Sequence, residues 1–297
     1  MSLEVGMIGL GIMGSAISAN LLKAGISVVG YDVVKEQVDL LVGNGGKGAA
    51  SPKAVAEKTD IVITLLPSVA ALDEVVWGDD GLLAADHKGL IVVESGTLPL
   101  EDKLRAHAAL QNAGMVMLDC TLSGTGAQAA QKDLAVYGSG DSAAYDKCVP
   151  VFEGYSRSHY YLGEFGNGSK MKYVANLLVA VHNVVAAEAF VLGMKSGLDP
   201  ELIYKVISDG AGTSRMFEVR GPMMVQGGYD EATMKMDVWQ KDLNIIGSYA
   251  KKINCPTPLL ASSAQVYIAA MAEGRDKQDT GSVCAVMEGW ANFKREK

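Results

Sequence analysis

The sequence predicts an α/β protein in two parts: a doubly wound sheet in the first half and an all-helical second half, joined by one long helix. Three observations carry this. Short apolar runs alternate with helical patterns from Leu3 to Leu162 and stop at glycine, proline or small polar residues. A glycine turn, Gly9-Leu-Gly11-Ile-Met-Gly14, stands between the first strand and the first helix. From Gly168 onward the strand pattern gives way to helical segments. The expected domains are residues 1–163 and 164–297.

Leu3 to Gly9 reads as a short buried strand, and Ser15 to Ala24 continues from the glycine turn with helical spacing until Gly25 stops it. A second apolar strand, Ile26 to Tyr31, ends on Asp32, eighteen residues past Gly14. Strand, glycine turn, helix, strand and acid in this order are the Rossmann-type dinucleotide signature, far more specific than G-x-G-x-x-G alone. Gly9 makes the tight turn, Gly11 admits a pyrophosphate against bare backbone, and Gly14 lets helix and strand pack closely. The helix N-terminus adds amide donors and a positive dipole end. Leu10, Ile12 and Met13 complete the turn. Asp32 is placed to accept from both ribose hydroxyls and to repel a 2′-phosphate, which favours NAD, while Lys35 leaves NADP open.

The α/β rhythm continues through strands at Asp60–Pro67, Gly89–Thr97 and Met115–Asp119, then Asp133–Gly138 and Ser158–Leu162. Ligands of such sheets lie outside the carboxyl ends of the strands. Leu65, Leu66 and Pro67 are therefore expected to line the cofactor, with Thr97 near its nicotinamide, although each also reads as an ordinary strand-to-helix turn. After Asp119 a loop carries Ser123, Gly124 and Thr125, whose amides and hydroxyls form a candidate carboxylate cradle or simply a flexible turn.

Residues 166–176, Gly-Asn-Gly-Ser-Lys-Met-Lys-Tyr-Val-Ala-Asn, open the longest apolar run. Lys172 and Asn176 are four apart, so a helix projects them from one face. Gly166 and Gly168 let the preceding loop approach a bound molecule. A lysine and an amide so placed could hold and protonate a small oxygenated substrate; the plain alternative is a first-turn surface lysine beside a buried polar group. Helices are expected at 169–195, 200–209, 213–226, 232–252, 257–274 and 279–294, bounded by Gly197, Pro200, Gly227-Gly228 and Pro256. In this half Lys241-Asp242-Leu243 and Arg215 read either as anion-facing or as solvated charges.

Composition sets outer bounds. A chain of 297 residues, 49% hydrophobic and 20% charged, is long enough for two cores. A net charge of −8 argues against a nucleic-acid or anionic-membrane surface. Cys120, Cys148, Cys255 and Cys284 are scattered, which fits reduced thiols in the cytoplasm. Val174 to Met194 has the length of a bilayer span but contains Asn176, His182, Asn183 and Glu188, so a helix buried in protein or between subunits is expected. The four histidines have no metal-ligand spacing, and no metal is expected.

Four separated motifs, in order over the whole chain, resemble the β-hydroxyacid dehydrogenase family, which includes 3-hydroxyisobutyrate dehydrogenases and tartronate semialdehyde reductases. They are G-L-G-x-M-G at 9–14; the substrate loop from Asp119 to Thr125 with Ala129 and Leu134; Gly166, Gly168, Lys172 and Asn176; and Lys241-Asp242-Leu243. The resemblance implies reversible hydride transfer between nicotinamide and a small 3-hydroxy acid or semialdehyde. It implies that Lys172 is the acid/base, that Asn176 helps hold substrate, that Ser123 and Gly124 hold its carboxylate, and that Lys241 closes the site near the nicotinamide. It also implies a small acidic substrate, and the nearly all-round apolar surface of the long helix points to a homodimer or homotetramer. Thr121, Thr125 and Lys132 depart from the family's proline and glycines, which bears on the substrate more than on the reaction. The rival readings are a decarboxylating sugar-acid dehydrogenase, opposed by Ala175 where that family has histidine, and a non-catalytic dinucleotide sensor. An imine reductase shares the plan but usually lacks the lysine.

Overall fold

The structure, a computed structural model, describes residues 3–295. The chain divides into one unit ending at Lys172 and another beginning at Tyr173. The strands of the first unit are β1 (Glu4–Ile8), β2 (Ser27–Tyr31), β3 (Lys47–Gly48), β4 (Ile61–Thr64), β5 (Ile91–Glu94), β6 (Val116–Ser123), β7 (Ala135–Ser139) and β8 (Ser158–Tyr161). Its helices are α1 (Ile12–Lys23), α2 (Lys35–Gly43), α3 (Pro52–Ala56), α4 (Val69–Trp77), α5 (Leu100–Asn112), α6 (Gly126–Ala130) and α7 (Ser142–Tyr155). The sheet order is β3-β2-β1-β4-β5-β6-β7-β8, parallel throughout except for the β6–β7 pair.

The period-two alternation of the strands sorts their side chains into two cores. Val5, Met7, Ile61, Ile63, Val93 and Leu118 pack with Ile17 and Leu21 of α1 and with Phe152 of α7. Ile8, Val62, Val92 and Met117 pack on the other face with Val55, Leu72, Val76 and Leu110. Burial on both faces explains why these strands read as unbroken apolar runs. Helix starts are set by side-chain caps: the hydroxyls of Ser51 and Ser68 accept from Ala54 N and Ala71 N, and the Asp141 carboxylate accepts from Ala144 N.

Helix α8 (Asn167–Lys195) begins in the first unit and continues into the second. It is long and apolar enough to cross a membrane by length and composition, and half of its most apolar window is buried in protein. The second unit adds α9 (Pro200–Ser208), α10 (Arg215–Gln226), α11 (Met236–Lys252), α12 (Pro258–Ala272) and α13 (Val283–Trp290). Buried polar ties join its helices. The Tyr267 hydroxyl donates to Ala180 O at 3.0 Å, and Asn183 Nδ2 donates to Thr280 O at 2.8 Å. Asp279, fully buried, accepts from the amides of Thr233, Met234 and Gly281 and pairs with Arg220 at 3.1 Å.

The helical half follows the expected limits within a few residues, except that its last element starts as a 3-10 turn at Thr280–Ser282 and stops at Trp290. The strand expected to end at Asp119 runs on to Ser123, because antiparallel pairing with β7 continues from Asp119 to that residue.

Candidate active site

Gly9, Asp32, Leu65–Pro67 and Thr97 all lie just past the carboxyl ends of parallel neighbours β1, β2, β4 and β5, so the sheet brings them to one edge. Gly9 has φ +93°, and a Cβ there would overlap Leu65 O. A Cβ on Gly14 would overlap Gly9 O, whereas one on Gly11 would meet nothing within 4 Å. The turn is thus closed on the protein side and bare on the other, at the uncapped N-terminus of α1. Such a surface fits a dinucleotide pyrophosphate. Asp32 Oδ2 accepts from Leu10 N at 2.7 Å and Oδ1 from Val34 N at 2.8 Å, which fixes the carboxylate against the turn with lone pairs to spare. Lys35 Nζ bonds Asp39 at 2.6 Å on the exposed face of α2.

Ser123 ends β6, and Gly124 (φ +136°) leads to Thr125, whose hydroxyl caps α6 in a reciprocal pair with Gln128. Gln128 Nε2 in turn donates to Asp133 at 3.1 Å, and Asn20 of α1 donates to Ala129 O at 2.7 Å. The loop is therefore a tied turn, and the Thr125 hydroxyl is engaged in its cap. A Cβ on Gly126 would overlap Ile12 Cγ2, which sets this loop directly against the glycine turn. Lys132 adopts φ +59°, the left-handed region that favours glycine.

The start of α8 is held on the sheet. Gly168 N donates to Ser139 Oγ at 2.9 Å, and Thr121 Oγ1 donates to Gly168 O at 2.8 Å. Ser169 N and Oγ donate to the two oxygens of Asp119 at 2.6 and 2.9 Å. A Cβ on Gly168 would overlap Asp119 O, so the space expected to serve a bound molecule is taken up by the protein's own backbone. Lys172 follows one turn later, partly exposed.

On the same helix Asn176 is 4% exposed and its Nδ2 donates to Asp242 Oδ2 at 2.9 Å. Lys241 Nζ lies 3.6 Å from the other Asp242 oxygen. An ionised carboxylate only accepts, so Asp242 settles which end of the Asn176 amide faces it. The Lys241-Asp242 pair, open to a solvated reading by sequence, thus has its acid buried. Arg215 pairs with Glu218 at 3.2 Å on the surface of α10.

Sequence patterns did not single out a polar row across the sheet. Thr64, Glu94, Asp119 and Ser139 are register partners on β4, β5, β6 and β7. Lys103 of α5, fully buried, reaches the row: Nζ donates to Asp119 Oδ1 at 2.9 Å and Gly96 O at 2.6 Å, and lies 3.6 Å from Glu94 Oε1. Glu94 accepts from the Thr64 hydroxyl and from Gly96 N at 2.8 Å. Burial pushes the Glu94 carboxyl above the ordinary carboxylate range, against the pull of Lys103 and these hydrogen bonds. Burial works to lower the Lys103 ammonium, but Asp119 and Glu94 reverse this and hold it above the ordinary lysine value. One signal was available: Lys103 occupies the stripe of α5 that also buries Ala106 and Leu110. Among the described residues no group of three or more His, Cys, Asp or Glu side chains could hold a metal.

Residues 4–163 match the family model described as the NAD binding domain of 6-phosphogluconate dehydrogenase. Residues 166–287 match the one described as NAD-binding of NADP-dependent 3-hydroxyisobutyrate dehydrogenase. The chain is 34% identical over 290 residues to L-threonate dehydrogenase of Cupriavidus necator, covering 97% of each chain. It is 30% identical over 287 residues to 2-(hydroxymethyl)glutarate dehydrogenase of Eubacterium barkeri, covering 97% of this chain and 95% of that one. The crystal structure of 3-hydroxyisobutyrate dehydrogenase from Salmonella typhimurium superposes with a TM-score of 0.86 at 31% identity, covering 96% of this chain and all of the other.

Proposed function

The chain belongs to the β-hydroxyacid dehydrogenase family and is an NAD(P)-dependent oxidoreductase acting on CH–OH groups; within that activity we propose that Lys172 is the acid/base for a small 3-hydroxy acid or its semialdehyde. The observation that carries this is the placement of Lys172 one turn before Asn176 on α8, with the Asn176 amide oriented by a buried carboxylate. A bound nicotinamide supplies or takes up the hydride. In reduction the Lys172 ammonium polarises the carbonyl oxygen and gives it a proton; in oxidation the neutral amine accepts the hydroxyl proton. Only the unprotonated amine can accept that proton, so the oxidative rate is expected to climb with pH.

Asn176 holds the reacting oxygen or its neighbour, and Lys241, next to the Asp242 that orients Asn176, is a further substrate-contacting residue. Ser123, Gly124 and the amide-rich turn through Thr125 hold the substrate carboxylate. Gly9, Leu10, Gly11, Ile12, Met13 and Gly14 take the pyrophosphate; Leu65, Leu66, Pro67 and Thr97 line the rest of the coenzyme. Asp32 selects NAD, a preference supported by the engagement of Lys35 with Asp39. We place the enzyme in the cytoplasm, in keeping with four free cysteines. We also propose a homodimer or homotetramer, supported by Val174, Leu178, Val185 and Leu192, which α8 leaves exposed at helical spacing.

The test is a panel of hydroxy acids, threonate and 3-hydroxyisobutyrate among them, and of matching semialdehydes, each offered with NAD(H) and NADP(H). Formation or loss of reduced nicotinamide is followed by absorbance. Turnover on the panel is the expected result. Dinucleotide binding without turnover on any of these acids or semialdehydes would remove the substrate class.

A further inference from the structure

We propose that the buried Glu94–Lys103–Asp119 triad is a positioning device that sets both the start of α8 and the turn before Thr97. This rests on the reading of Lys172 as the acid/base. Asp119 holds Ser169 by two hydrogen bonds, to its amide at 2.6 Å and its hydroxyl at 2.9 Å. Lys172 is three residues on, so rotation or sliding of that first turn carries its amine directly. The other arm shapes the loop after β5: Lys103 Nζ bonds Gly96 O at 2.6 Å, while Gly96 N bonds Glu94 at 2.8 Å, next to Thr97.

Glu94, Lys103 and Asp119 are each 0% exposed. Replacing a buried ion cluster by apolar side chains is often neutral or stabilising, so stability alone is a weak reason for one here. Fixed geometry is a stronger one. Charged hydrogen bonds in a low-dielectric interior resist displacement, and a misplacement of about 1 Å at a catalytic group costs roughly a hundredfold in rate. Thr121 adds a further bond to the same turn, through its hydroxyl and Gly168 O.

The test is a double-mutant cycle on the full-length enzyme. Ser169→Ala removes one bond to Asp119 and leaves that carboxylate paired with Lys103, so no charge is stranded. Its kcat is expected to fall about tenfold, the basic limb of the oxidative pH profile to move, and dinucleotide affinity to stay within about twofold. In a Lys172→Ala background the same change is expected to cost less than about twofold, because its effect runs through the missing amine. An unchanged kcat and pH profile in folded Ser169→Ala, or an equal loss in both backgrounds, overturns the positioning role while leaving the acid/base reading in place. Near-normal turnover of Lys172→Ala by itself removes the acid/base reading and the positioning role with it. Ser169→Cys, which weakens the same side-chain bond to Asp119, carries the test through the same cycle if Ser169→Ala does not fold.

Discussion

Lys103→Met keeps the length of the side chain and removes its charge. The change deletes the 2.9 Å bond to Asp119, the 2.6 Å bond to Gly96 O and the 3.6 Å pairing with Glu94. Two fully buried carboxylates then face each other on register-paired residues with no cation between them. Removing one partner of a buried pair costs about 3–5 kcal/mol. At about 2–4 °C per kcal/mol for a unit of this size, melting falls by roughly 6–20 °C. The pH dependence carries a sign as well. In the native protein Lys103 is held above its ordinary value, so its contribution is complete below about pH 10 and fades as pH climbs through the folded value. Glu94, raised by burial, works the other way: its folded state holds the proton more tightly, so stability declines as pH rises from about 4.3 to its folded value. Without Lys103 the Glu94 carboxyl rises further and this window widens, at about 1.4 kcal/mol per pH unit for each proton held. Urea unfolding followed by circular dichroism at several pH values measures both effects. Restoring part of the loss with Glu94→Gln is expected. A loss under about 1 kcal/mol with an unaltered pH slope would refute the reasoning.

Four further outcomes follow from the site. Lys172→Ala should cut turnover by roughly two to four orders of magnitude while dinucleotide binding, read by fluorescence titration, stays nearly intact. Asp32→Ser removes a charge worth about 1–4 kcal/mol near a 2′-phosphate, so the ratio of kcat/KM for NADP over NAD should rise about tenfold or more. Asp242→Ala frees the Asn176 amide from a bond to a charged acceptor, worth about 1.5–3 kcal/mol, and should lower kcat/KM for the acid roughly ten- to a hundredfold without changing coenzyme affinity. Leu178→Glu with Leu192→Glu places charge on the exposed stripe of α8 and should lower the sedimentation mass; an unchanged mass would remove that face as the contact between copies.

The glycine turn, Asp32, the alternation of strands and helices, and the six helical segments after Gly166 were legible because each is a local pattern. Periodicity, a turn requiring φ +93° at Gly9, and an acid closing a strand all lie within short stretches of chain. That Lys172 and Asn176 share one helix was legible for the same reason, since four residues make about one turn. The two-residue strand β3 and the short helix α3 were not assigned, being too brief to show a period.

Tertiary structure alone decided what the polar residues touch. Glu94 and Asp119 are 25 residues apart in sequence yet lie side by side across β5 and β6, and Lys103 descends on them from a helix between. Asp242 meets Asn176 across 66 residues. Thr121, readable by resemblance only as a departure, turns out to bond the first turn of α8. A sequence specifies periodicity over a few residues, and so the fold class. Which charges end up sharing one dry interior depends on sheet register and helix packing, which no local window contains.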